Sequence, residues 1–193
     1  SIGFDPATGR AVPNSPLAVT SMPKIDTICA AVLFQHGLTW TEAERVAANI
    51  FSPQLGAMPR RELIRPSGDV VGLFTQLAAA GVKIGVVTSD NRGASLETLR
   101  LLGIADLVAG LVCGDDPVPN KPAPDALHEL SRKLGVPLAR TMMVGDSLAD
   151  MACGTGAKTL CNIAVLGGTG TADELAAAAD AVLASLDEIS VLG

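Results

Sequence analysis

The chain has no tyrosine, a single tryptophan and four phenylalanines among 193 residues. A surface that stacks single-stranded nucleic acid needs aromatic platforms, so that function is disfavoured. The formal net charge of −6 argues against a phosphate-backbone partner as well. It leaves room for a small phosphorylated substrate held at one electropositive spot. The four cysteines, Cys29, Cys113, Cys153 and Cys161, form no C-x-x-C pair, and His36 and His128 stand in no zinc spacing. Buried, reduced thiols are the expectation, which suits a reducing cytosolic compartment. No apolar run reaches the length of a membrane span, and the first residues lack a basic-then-apolar signal. No membrane partner is expected.

What is present is an alternation. Residues 1–16, "SIGFDPATGRAVPNSP", are rich in Gly, Pro and small polar residues and read as a linker-like loop. Residues 17–62 read as a small helical unit: "IDTICAAVLFQHG" closed by Gly37, then "TWTEAERVAANIF" with Thr39 or Thr41 as N-cap. From "RPSGD" at 65–69 onward, short apolar β-branched runs alternate with helical patterns closed by Gly81, Gly103 and Gly135. The runs are "VKIGVVT", "LVAGLVCG", "RTMMVG", "TLCNIAVL" and "DAVLAS". Such alternation predicts an α/β fold over 63–193, a parallel sheet with helices on both faces. The runs ending at Thr88 and Gly145 are expected to be buried on both faces.

Three stretches fall at the C-terminal ends of predicted strands: "VVTSDN", "NKPAPD" and "VGDSLAD". In a parallel sheet these ends share one edge, where ligands bind. Thr88 and Ser89, with free backbone amides, suit phosphate oxygens. Lys121 suits neutralisation of their charge. Asp146 and Asp150 suit a hard cation such as Mg²⁺. Each piece has a plainer reading: residues 88–90 as a strand-to-helix cap, Lys121 as a solvated lysine, Asp146 or Ser147 as a helix cap. The order and spacing of the three together favour the phosphate site. Arg60, Arg61 and Arg65 cluster where the helical unit ends and read as a solvated basic patch.

These three stretches resemble the second, third and fourth motifs of haloacid dehalogenase-like hydrolases, in the phosphoglycolate phosphatase-like branch. The resemblance covers 63–193, with a Rossmann-like core, and 17–62 resembles that branch's cap domain. It implies that Thr88 binds the transferring phosphoryl group, that Lys121 stabilises nucleophile and phosphoryl charge, and that Asp146 ligates Mg²⁺. Asp150 would ligate the ion or orient its waters. The turn "GGTGTADEL" resembles the start of the family's last helix. The family's nucleophile, an Asp in D-x-D-x-T at the end of the first strand, has no counterpart here. In "IGFDPATG" Asp5 is followed by Pro6 and Ala7, a turn composition. The expectation is a Mg²⁺-dependent phosphohydrolase acting through an aspartyl-phosphate, with its nucleophile upstream of residue 1 and these 193 residues inactive alone. The upstream strand, or a second chain, would complete the sheet between 82–88 and 140–145. The alternatives are a non-catalytic relative or fragment that binds phosphate or a partner, and a dehalogenase, which the acids of "GDSLAD" disfavour.

Overall fold

The computed structural model describes residues 2–7, 10–12, 15–20, 22–50, 64 and 66–191. Arg60, Arg61 and Arg65 lie outside the described residues. The chain divides into two compact units, Ser1–Arg65 and Pro66–Gly193.

In the first unit, β1 (Phe4–Asp5) and β2 (Arg10–Ala11) form a two-residue antiparallel ladder within the stretch expected to be loop. A short helix, α1 (Pro16–Val19), precedes α2 (Met22–Gln35) and α3 (Trp40–Ile50). The turn between α2 and α3 uses Gly37 at φ 99°, a conformation that favours glycine. Thr39 caps α3: its hydroxyl accepts from the Glu42 amide and donates to the Glu42 carboxylate at 2.6 Å. Ala30, Ala43 and Ala47 are buried together where the two helices meet. Small side chains there allow close packing.

The second unit is the α/β core: α4 (Val70–Ala79), β3 (Ile84–Val87), α5 (Arg92–Leu101), β4 (Val108–Val112), α6 (Asp125–Leu134), β5 (Met142–Gly145), α7 (Leu148–Ala157), β6 (Cys161–Val165), α8 (Ala172–Ala178) and β7 (Ala181–Leu183). All strand pairs in this unit are parallel. They form two ladders, β3–β4 and β5–β6–β7, and β3 and β5 are not paired with each other among the described residues.

Neighbouring residues on β3 and β4 face opposite ways, as strand geometry requires. Val86 and Leu111 pack with Leu99, Val70 and Phe74 of α4 and α5. Val87 and Val112 pack with Ala126 and Leu130 of α6 on the other face. Gly85 and Gly110 are partners across this ladder, and a Cβ on either would lie within 2.8 Å of the Leu130 side chain. The paired glycines therefore let α6 seat directly on the sheet. Burying one leucine in this way contributes about 1.5–3 kcal/mol.

On β5 the two-sided expectation needs correcting. Met143 is buried against Leu127, Cys153 and Ala157 of α6 and α7. Met142 and Val144, which point the other way, are 50% and 39% exposed. The run is apolar throughout, but among the described residues helices cover only one of its faces. All four cysteines are free thiols, Cys113 and Cys153 buried. Among the described residues no helix is long and apolar enough to cross a membrane.

Candidate active site

The helix after β5 begins with a reciprocal cap. Ser147 is the N-cap of α7; its hydroxyl accepts from the Asp150 amide at 3.1 Å, and the Asp150 carboxylate reaches back to the Ser147 amide at 3.0 Å. This S-x-x-D pattern is a capping box, and it was readable in the sequence as the residues 147–150. Asp150 does more than cap. Its Oδ2 also accepts from the Asp146 amide at 3.1 Å and the Ser147 hydroxyl at 2.7 Å. Its Oδ1 accepts from Lys121 Nζ at 2.6 Å. The pair is nearly dry, with Lys121 and Asp150 side chains 14% and 4% exposed. Gly145 is required beside it, because a Cβ there would lie 2.4 Å from the Asp150 side chain.

Lys121 Nζ also donates to the Val87 carbonyl at 3.3 Å. One ammonium therefore links the end of β3 to the start of α7. The Lys121–Pro122 peptide is cis. At the end of β3, Thr88 and Ser89 are half-buried. Thr88 continues the ladder by donating its amide to the Val112 carbonyl at 3.0 Å, and its hydroxyl accepts from the Asp90 amide at 3.1 Å. The cap of α5 is not in this trio. It is Asn91, whose side chain accepts from the Ala94 amide at 2.8 Å. The loop after β4 lies against the same turn: Gly114 donates to the Asp90 carbonyl at 2.8 Å, and a Cβ on Gly114 would lie 2.1 Å from the Ser89 carbonyl oxygen.

Asp146 follows Gly145 and precedes the cap. Its Oδ2 accepts from the Thr169 amide at 2.9 Å, with the Thr169 hydroxyl at 3.5 Å. Its backbone carbonyl accepts from the Gly170 amide at 2.9 Å. Its Oδ1 has no hydrogen bond among the described residues. The two acids singled out by spacing thus have different surroundings. Both oxygens of Asp150 are engaged by four donors, whereas Asp146 keeps one oxygen open. No cluster of three or more His, Cys, Asp or Glu side chains forms among the described residues. A single open carboxylate oxygen still fits a hard cation, because Mg²⁺ is commonly held by one or two carboxylates, water and substrate phosphate.

A second polar knot, unassigned from sequence, lies after β4. Arg92 donates through Nε and Nη2 to both oxygens of Asp116, at 3.2 and 2.5 Å, and to the Leu111 carbonyl. The Cys113 amide bond, then the Arg92 guanidinium, holds the Asp116 carboxyl below the usual carboxylate range. The knot ties the start of α5 to the β4 loop, and Arg92 and Asp116 are separated by 24 residues, which no local spacing reveals.

Comparison with known proteins matches residues 15–158 to the haloacid dehalogenase-like hydrolases, more than half of the chain. The chain is similar to a phosphoglycolate phosphatase of Rhodospirillum rubrum, at 39% identity over 82 residues, covering 42% of this chain and 34% of that protein. It is also similar to a plasmid-borne phosphoglycolate phosphatase of Cupriavidus necator, at 27% identity over 158 residues, covering 78% and 68% of the two chains. Among solved structures, CbbY from Rhodobacter sphaeroides in complex with phosphate superposes with a TM-score of 0.63 at 23% identity, covering 79% of this chain and 66% of that one. The match thus spans about a third of the Rhodospirillum relative and about two thirds of the other two. The Rossmann-like α/β fold, the order of the three strand-end stretches and the profile match agree: this chain belongs to the haloacid dehalogenase-like hydrolases.

Proposed function

We propose that this chain is the cap and most of the core of a Mg²⁺-dependent phosphohydrolase acting on a small phosphate monoester. The observation that carries the reading is the unbroken hydrogen-bonded path Val87–Lys121–Asp150–Asp146, which joins the three strand-end stretches. A phosphate bound there would meet the Thr88 hydroxyl, the amides near Ser89 and the Lys121 ammonium. Lys121 is fixed by two acceptors and nearly desolvated, so its charge acts at close range with little screening. Asp146 would hold the cation through Oδ1, and such an ion, when bound, neutralises phosphate charge and orients the transferring group. Asp150 would act on the site indirectly, by holding Lys121 and the Asp146 amide in place.

The nucleophilic aspartate would then lie on a strand upstream of residue 1, between β3 and β5, which are not paired with each other among the described residues. That aspartate would attack phosphorus, form an aspartyl-phosphate and release the alcohol; water would then hydrolyse the acyl phosphate. The 193 residues alone would hold phosphate without turning it over. The free thiols suit a reducing compartment such as the cytoplasm.

The test is hydrolysis of p-nitrophenyl phosphate by the full-length protein with Mg²⁺. Asp146→Asn is expected to lower turnover by roughly 100-fold or more. Wild-type turnover in that variant overturns the site. A full-length protein that binds phosphate and never turns over favours the non-catalytic alternative.

A further inference from the structure

The loop after β6 touches Asp146 at three points, and it lies beyond residues 15–158, the stretch matched to the family. The Thr169 amide and hydroxyl engage Oδ2 of Asp146, and the Gly170 amide engages its backbone carbonyl. Gly168 is pressed against the same side chain: a Cβ there would lie 1.8 Å from Oδ2 and 2.3 Å from Cγ. The loop's far end is anchored. Thr171 caps α8, with its hydroxyl and Glu174 forming a capping box, and Leu175 beyond it is fully buried. An exposed aspartate carboxylate, on its single methylene, ordinarily rotates between its oxygens. Here one oxygen is held from the side of β6 and the other is left open.

We propose that Gly168 and Thr169 are positioning residues for Asp146. The loop takes Oδ2, fixes the carboxylate plane and so leaves Oδ1 as the cation-binding oxygen. Gly168 serves by having no side chain, because any Cβ would displace the carboxylate. Thr169 serves by donating its amide, with the hydroxyl as a second, longer contact. This rests on the reading of Asp146 as a metal ligand. It adds that the affinity for the cation is set by a loop 23 residues away, since ligands oriented by their own hydrogen bonds bind metal more tightly.

Two neighbouring glycines separate this role from simple loop integrity. Gly167 has φ 100° and nothing within 4 Å of a Cβ, so Gly167→Ala strains the backbone without touching Asp146. Gly168 has no positive φ, so Gly168→Ala acts through the clash alone. Mg²⁺ binding to the full-length protein is measured by titration calorimetry, without substrate. Gly168→Ala is expected to weaken Mg²⁺ binding by roughly 10–100-fold, and Gly167→Ala to lower thermal stability while keeping the wild-type affinity. Asp146→Asn reports on the underlying reading. If wild type binds Mg²⁺, Asp146→Asn loses it and Gly168→Ala keeps it, the positioning role is overturned and the metal reading stands. If Asp146→Asn binds Mg²⁺ like wild type, both fall. Should Gly168→Ala not fold, amide exchange decides. In Asp146→Ala the Thr169 amide should exchange at least tenfold faster, while that of Ala164 in β6 is unchanged. An unaltered Thr169 rate overturns the proposal.

Discussion

Replacing Asp150 by Asn should destabilise the protein far more than replacing Asp146 by Asn, though both changes remove one charge at neighbouring positions. Asp150 accepts four hydrogen bonds, three at Oδ2 and one at Oδ1. An asparagine has one acceptor oxygen. With that oxygen toward the Asp146 and Ser147 amides, the new NH₂ faces the Lys121 ammonium, donor against donor. With the amide turned over, it faces three donors instead. The first arrangement costs less, and it still leaves an ammonium only 14% exposed without its counter-charge. Breaking one side of such a dry pair costs about 3 kcal/mol. For a chain of this length that is a fall of roughly 6–12 °C in melting temperature. Asp146→Asn keeps an acceptor for the Thr169 amide and leaves no stranded cation, so a loss below about 1 kcal/mol is expected. The assay is urea unfolding of the protein at pH 7, with Lys121→Met and the double variant completing the cycle. Lys121→Met should cost a similar amount, and Lys121→Met/Asp150→Asn markedly less than the sum, because removing both charges strands neither. Additive losses, or an Asp150→Asn within about 0.5 kcal/mol of wild type, would show that the pair is not coupled as its geometry requires.

Gly114→Ala should cost about 1–3 kcal/mol and weaken phosphate binding, because its Cβ would lie 2.1 Å from the backbone carbonyl of Ser89 and must push the Thr88–Asp90 turn aside. A variant with wild-type stability and phosphate affinity would refute the close contact. Burial pushes the Cys153 thiol up to about 11, against its ordinary 9.0, with the Lys121 charge opposing. A folded value above the unfolded one means the folded state holds its proton longer. Stability is therefore intact below pH 9 and declines as pH rises through 11, by about 2–3 kcal/mol for a two-unit shift. Urea midpoints between pH 8 and 10.5 should fall more steeply for wild type than for Cys153→Ala, and equal slopes would contradict the assignment.

The alternation of strands and helices was legible because three of the five core helices, α4, α5 and α6, close on a glycine that the turn needs. Gly81, Gly103 and Gly135 take φ of 75°, 74° and 63°, and a pattern of apolar runs between such stops has few other solutions. The meeting of Lys121 with the "GDSLAD" stretch was legible too, since parallel topology puts both at one sheet edge. The different surroundings of Asp146 and Asp150 were not. A pair of acids at i and i+4 after a strand describes two metal ligands. The same letters, read as Ser147 followed three residues later by Asp150, describe a capping box. Spacing alone cannot choose, because both readings draw on the residues that lead into α7. What separates the two acids is tertiary. Asp150 is buried where Lys121 arrives from a loop 29 residues earlier, and half-buried Asp146 meets Thr169 from a loop 23 residues later. The one-sided exposure of β5 was hidden for a similar reason: an apolar run records what a face can tolerate, and coverage depends on which other elements reach it. The hydrogen bonding of each carboxylate is therefore set by which distant loop reaches it. A stability measurement on Asp150 and a metal titration on Asp146 should give opposite patterns, although the two residues are the same amino acid four positions apart.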